Sequence, residues 1–193
     1  LATKDERVAQ LFSQVAGPEA LRPILGMQDP YAYRNKVMSP FAPGAPRKAA
    51  PGKRGGGKRP SRPASPQRDI LCGMYAGTHR IIDTGECLIE NAQAKQVIRA
   101  VRSLMLKFGI PPYDEDRGTG FMRHAVVRVG HKSGEVLVTV VTNGEEFPAS
   151  KAFCRELARR VPEVTTIVQN VNARQTNVIL GDKERVLFGP GFI

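Results

Sequence analysis

The sequence predicts an α+β fold. An antiparallel-rich sheet carries two or three helices on one face, with a long disordered basic hairpin insertion. Three observations predict it. Two valine-rich segments, about 124–130 and 135–142, are joined by the short turn "HKSG" in the manner of a hairpin. Two longer segments repeat apolar residues at helical spacing. Between two further strand-like segments lies a Gly/Pro-rich stretch without hydrophobic periodicity.

In chain order, "TKDE" (3–6) has the Thr-x-x-Glu spacing of a capping box. Val8, Leu11, Phe12 and Val15 follow at helical spacing, and Gly17 ends the run, which predicts an amphipathic first helix. "YRNKVMSPFA" (33–42) reads as a strand, and "DILCGMYAG" (69–77) as its partner. Residues 43–68 between them bury too little apolar surface to offset their ordering entropy.

The spacing predicts a second helix near 91–108, with Ala94, Val97, Ile98, Val101, Met105 and Phe108 on its inner face. Gly109 and the prolines at 111 and 112 stop it. A third helix spans about 149–161, with Phe153, Leu157 and Val161 inward and Arg159 and Arg160 in its last turn. "VTTIVQNV" (164–171) and "NVILGDKERVLFG" (177–189) read as closing strands.

With 193 residues and 41% apolar content, the chain can bury a real core. Its formal charge of +11 points to a polyanionic partner. Eight of those positive charges (Arg47, Lys48, Lys53, Arg54, Lys58, Arg59, Arg62 and Arg68) fall in the acid-free insertion and leave +3 for the rest. The basicity therefore belongs to one loop, suited to phosphate backbones without sequence preference. No run of about 18 apolar residues is present, so no membrane partner is expected, and no signal peptide is visible. Three widely spaced cysteines argue against a disulfide framework and for a reducing, cytoplasmic setting. A start at Leu1 and an end at "GPGFI" read as a fragment of something longer.

The chemistry-bearing motifs are sparse. "GKRGGGKR" lacks the Gly-Lys-Ser/Thr ending of a phosphate-cradling loop and follows no strand. His79, His124 and His131 have no metal-ligand spacing. Cys154 lies beside the inward face of a helix, where an inert buried thiol is the ordinary reading, and Cys72 in a strand reads alike; a Cys154–His124 nucleophilic pair is the weakest alternative. Cys87 differs, standing at a turn between a strand and a helix start. Arg34 and Lys36 share one face of the first strand and Asn35 takes the other, a basic ridge or a solvated face. Arg123 and His124 follow Gly118 and Gly120 at the mouth of a strand. Asn170, Asn172, Arg174 and Asn177 crowd one segment. There the side chains either bond their own backbone, as in turns, or meet a ligand.

"YRNKV", "HRIIDTGEC", "YDEDRGTGFMRHAVVRVGHKSGEVLVTVVT" and "VQNVNARQTNVILGDKERVLFGPGFI" occur in this order. Together they resemble the RNA uracil-5-methyltransferases, of the TrmA and RumA type, from about residue 31 to 193. The resemblance implies that residues 1–193 are a central α+β domain that binds substrate RNA, ribosomal or transfer. An N-terminal barrel and a C-terminal S-adenosylmethionine-binding domain holding the catalytic residues are then missing, and the fragment alone is expected to be inactive. Many members hold an iron–sulfur cluster on four cysteines. Cys87 matches the fourth, orphaned here, since one thiolate cannot hold a cluster. By the same resemblance, Arg34, Asn35, Lys36, Arg123, His124, Asn172, Arg174 and Asn177 are expected to face RNA. The alternative is a free-standing RNA- or ribosome-binding module without catalytic activity.

Overall fold

The computed structural model describes residues 1–46 and 68–193. Arg47, Lys48, Lys53, Arg54, Lys58, Arg59 and Arg62 of the insertion therefore lie outside the described residues. The chain divides into two compact units, Leu1–Tyr31 and Ala32–Ile193.

The first unit holds helix α1 (Ala2–Phe12) and a single 3-10 turn (Pro18–Ala20). The capping box does not form. The helix already starts at Ala2, so Thr3 sits inside its first turn and no side chain caps it. Asp5 accepts from the Ile24 amide at 2.9 Å. The helix stops at Phe12, short of Gly17, and Val8, Leu11, Phe12 and Val15 are all exposed.

The second unit contains β1 (Lys36–Pro46), β2 (Arg68–Cys72), β3 (Met74–Tyr75), β4 (Ile81–Ile82) and α2 (Ala92–Phe108). These are followed by β5 (Met122–Val129), β6 (Val136–Thr142), α3 (Ser150–Arg160), β7 (Val164–Val171) and β8 (Lys183–Phe188). Six strands form one sheet in the order β2-β1-β5-β6-β7-β8, and β3 and β4 make a separate ribbon. Neighbours are antiparallel except β6 and β7, which are parallel and joined through α3. Such a pair needs a crossover of helical length, and α3 supplies it. The fold is α+β, as the sequence predicts.

Both long helices cover one face of this sheet. Asn91 caps α2: its side-chain oxygen accepts from the amides of Gln93 (2.8 Å) and Ala94 (3.3 Å). Ala94, Val97, Ile98, Val101, Leu104 and Met105 are buried along one stripe, as are Phe153, Cys154 and Leu157 of α3. They pack with Ala125, Val127 and Val129 of β5 and Val136, Val138 and Val140 of β6. These are alternate strand positions, so the intervening residues look away from the helices. Each large apolar side chain so buried contributes about 1.5–3 kcal/mol. Asn91→Ala should destabilise the chain by about 1 kcal/mol in urea unfolding, since two amide donors lose their acceptor.

Three strand boundaries depart from the sequence expectation. β1 starts at Lys36, so Arg34 and Asn35 precede it, and it runs on to Pro46. Proline normally marks a strand edge, yet β1 keeps Pro40, Pro43 and Pro46, with a register irregularity between the last two. The segment 69–77 is split: β2 ends at Cys72, and β3 leaves the main sheet to pair with β4. The last strand begins at Lys183 rather than 177, because residues 178–181 form a loop clamped by asparagine side chains.

Candidate functional site

The first half of β5 carries the site. Met122 pairs with Thr142 and His124 with Val141, so Arg123 is an extra residue in a β-bulge. Strand alternation would send Arg123 and His124 to opposite faces. A bulge re-aims the inserted side chain, and here both residues line one cavity of about 450 Å³. Tyr75 from the ribbon, His79 from the turn between its strands, Glu115 from the loop before β5, and Asn177 and Val178 from the loop before β8 are among the other residues of its wall.

The two residues expected to face RNA at this strand mouth are buried. Arg123 is 2% exposed and His124 5%. Arg123 Nη1 donates to the carbonyls of Asn172 (2.8 Å) and Arg174 (2.7 Å). Its Nη2 faces the Glu115 carboxylate at 3.3 and 3.4 Å. The guanidinium lies 4.4 Å from the centre of the Tyr113 ring, within cation–π range. Arg123 therefore pins the 172–174 segment to β5, and its fork is not free for phosphate.

His124 is set differently. Its Nδ1 is buried without a hydrogen-bond partner, as is Arg123 Nε. Burial first, and the Arg123 charge second, push its pKa down to about 4. At neutral pH the imidazole is uncharged. Its ring stands edge-on to Tyr75, with centroids 6.1 Å apart. Burial holds the Tyr75 phenol up at about 12, so it too is neutral.

The titration has a sign that can be checked. A histidine whose folded pKa lies below its unfolded value of about 6.5 gives stability that is complete above about 6.5 and fades towards 4. NMR of the imidazole protons should show His124 titrating near 4, whereas the hydrogen bond to Asp116 raises the pKa of His79. A His124 midpoint near 6.5 would contradict the buried placement.

The asparagines separate into two groups. Asn172 donates its amide to the carbonyls of Val178 (2.6 Å) and Ile179 (2.9 Å) and accepts from the Arg174 amide (3.1 Å). Asn170 donates to the Gly181 carbonyl and accepts from its amide. Of the two sequence readings, backbone bonding describes Asn170 and Asn172, and it corrects the RNA-facing expectation for buried Asn172. Arg174 and Asn177 are exposed, and Asn177 lines the cavity.

Arg34 and Lys36 line a second cavity, of about 280 Å³, with Met38, Met74 and Glu90. Exposed Asn35 accepts from the Val129 amide through its backbone carbonyl. Glu90 is buried, and its carboxyl pKa is raised by that burial against the opposing charges of Arg34 and Lys95. This ridge is thus not purely basic. Lys36 pairs with Arg128, and Pro40 with His124. Lys36, Arg128 and His124 therefore share the sheet face opposite α2 and α3, the cations roughly 13 Å along the strand from the imidazole.

Cys87 is half-buried. Among the described residues no group of three or more His, Cys, Asp or Glu is placed to hold a metal ion. Cys154 is core-facing in α3, its thiol pushed up to about 11 by burial. His124 lies on the other sheet face, which rules out their pairing. Sequence reasoning missed Tyr75, Tyr113, Glu115 and Arg128. The acidic run "YDED" just before the glycines was the available signal for two of them.

No protein-family model matches the chain. An "Uncharacterized RNA methyltransferase" of Halalkalibacterium halodurans is 37% identical over 100% of this chain and 38% of its own length. One from Bacillus cereus is 36% identical with the same coverages, and one from Staphylococcus aureus 33% identical over 98% of this chain. The crystal structure of Pyrococcus abyssi tRNA (uracil-54, C5)-methyltransferase in complex with S-adenosyl-L-homocysteine shares the fold. Its TM-score is 0.59 at 20% identity, covering 86% of this chain and 33% of that one. No helix among the described residues is long and apolar enough to cross a membrane. Matched end to end, the chain belongs with these RNA methyltransferases and spans about 38% of their length.

Proposed function

We propose that the chain is the substrate-RNA-binding part of an S-adenosylmethionine-dependent RNA uracil-5-methyltransferase of the cytoplasm, acting on ribosomal or transfer RNA. The observation that carries this reading is the similarity, over the whole of this chain and 38% of the relatives' length, to proteins named RNA methyltransferases. Uracil and the methyl donor are supported by the name of the structural neighbour.

The residues in hand do not fit the methyl donor. Nucleotide-like cofactors sit where a Gly-rich turn leads from a parallel strand into a helix N-terminus. Here the sheet has one parallel pair, and the β6-to-α3 connection, "NGEEFPA", has a single glycine. Binding of the donor and the bond-making step are therefore assigned to the rest of the longer protein. Methylating C5 requires taking a uridine out of its stack, and this chain holds the surrounding RNA. Arg34, Asn35, Lys36, Arg174 and Asn177 supply exposed contacts. Arg123 and Asn172 act behind them by ordering the loop.

The test is product formation. The longer protein, given S-adenosylmethionine and unmodified ribosomal or transfer RNA, should yield 5-methyluridine by mass spectrometry. The 193-residue chain should bind the same RNA and yield none. A longer protein that binds without methylating would favour the free-standing module instead. Deleting residues 45–67 should flatten the salt dependence of RNA binding by removing phosphate contacts. An unchanged slope would remove the insertion from the interface.

A further inference from the structure

We propose that the 450 Å³ cavity over Arg123 and His124 is a pocket for one unstacked nucleobase, an uncharged planar heterocycle, and not a phosphate site. This rests on the RNA-binding reading above and specifies what the pocket holds.

Charge comes first. The only buried cation of the wall, Arg123, is already matched by two carbonyls and the Glu115 carboxylate. The other basic residue lining it, His79, is already paired with Asp116 at 2.8 Å, so a phosphate entering here would meet Glu115 without an unpaired cation. The imidazole beside it is neutral at pH 7 for the reasons given above. An uncharged guest suffers neither problem.

Unmet hydrogen bonding comes second. Arg123 Nε and His124 Nδ1 are both fully buried and without partners, and they belong to neighbouring residues of the same wall. A buried polar atom left unpaired loses its hydrogen bonds to water and gains none in return. The large majority of buried polar atoms in native structures are paired, so two neighbouring exceptions on one cavity wall call for a partner.

Shape comes third. The volume lies within the range of small-molecule pockets, which runs from about 300 to 1,000 Å³. The wall combines two neutral aromatic rings, His124 and Tyr75, with apolar Val178 and Ile179 and the amide of Asn177. Single-stranded RNA is read by this mixture of stacking surface and a few polar groups. The cations Lys36 and Arg128 lie outside the pocket on the same sheet face, where a backbone leading to the base would run.

The test uses the 193-residue chain with uridine and adenosine decamers, each compared with an abasic ribose-phosphate decamer of equal charge. Binding is followed by fluorescence anisotropy over a salt series. A base-bearing decamer should bind about tenfold or more tighter than the abasic one. Tyr75→Ala and His124→Ala should each bring that ratio close to one while leaving the salt slope unchanged. Should His124→Ala fail to fold, Tyr75→Ala carries the test, because Tyr75 is 39% exposed on the small ribbon. Equal binding of abasic and base-bearing decamers overturns the pocket and leaves the RNA-binding reading standing. So does a Tyr75→Ala variant that lowers the salt slope and keeps the base preference. Absence of binding to every decamer at low salt overturns the RNA-binding reading and the pocket with it.

Discussion

Replacing Arg123 with methionine should cost the chain about 3–5 kcal/mol of folding stability, the range for removing one partner from a buried charge network. Methionine keeps the length and the apolar stem but removes every donor. The carbonyls of Asn172 and Arg174 and the Glu115 carboxylate then lose a shared partner. Tyr113, 1% exposed, loses the cation on its face. The carbonyl bonds, at 2.7–2.8 Å, are shorter than the 3.3–3.4 Å approach to Glu115. The backbone contacts therefore carry most of the effect. Glu115→Gln should be mild, about 1 kcal/mol or less, because that side chain is part-exposed. Urea midpoints at pH 7 compare the two. An Arg123→Met protein within about 1 kcal/mol of wild type would mean that the guanidinium does not anchor the loop. The ranking also bears on function. RNA binding lost in an Arg123 variant would report a disordered 172–181 loop before it reported a lost contact, so Tyr75 and Asn177 are the cleaner probes.

How much of this was legible in the sequence depends on how local each cause is. Helices α2 and α3 announce themselves because their buried residues recur every three or four positions and Asn91 and Gly109 bracket α2. The β5–β6 hairpin is equally local. The parallel pairing of β6 with β7 is not, since a valine run looks the same beside either kind of neighbour. The bulge at Arg123 leaves no trace in composition. Its reason for being buried lies 49 and 51 residues away, in two backbone carbonyls. Resemblance to a family singled out Arg123 and His124 but suggested only an RNA-facing edge. Only the placed partners show one residue tying a loop and the other standing neutral in a cavity. Asn172 repeats the lesson: the choice between turn and ligand was open until its amide met Val178 and Ile179.

Gly120→Ala is expected to rank with Arg123→Met, at about 2–6 kcal/mol. Gly120 has φ +110°, a region that costs a side-chain-bearing residue about 1–3 kcal/mol. A Cβ there would also overlap the Pro112 carbonyl oxygen and lie 2.8 Å from the Tyr113 Cα. Both obstacles are backbone, so relief requires moving the 111–114 segment away from β5, an overpacking cost of about 1–3 kcal/mol. That segment is held by the Tyr113 amide donating to the Met122 carbonyl (2.8 Å), and it carries the ring under Arg123. The damage should therefore reach the cavity, visible as a changed His124 imidazole resonance alongside the lower urea midpoint. Gly118 is the control. It too has positive φ, +65°, but what its Cβ would meet first is the mobile end of the Gln175 side chain. Gly118→Ala should then cost only about 1 kcal/mol, the penalty of the left-handed backbone alone. If the two alanine variants unfold at the same urea concentration, close approach to Pro112 is not what requires glycine at 120. The pair "GTG" would then serve only as a flexible turn. If they separate as expected, the second glycine is a packing element, setting how near the Tyr113 ring comes to the bulge that shapes the pocket.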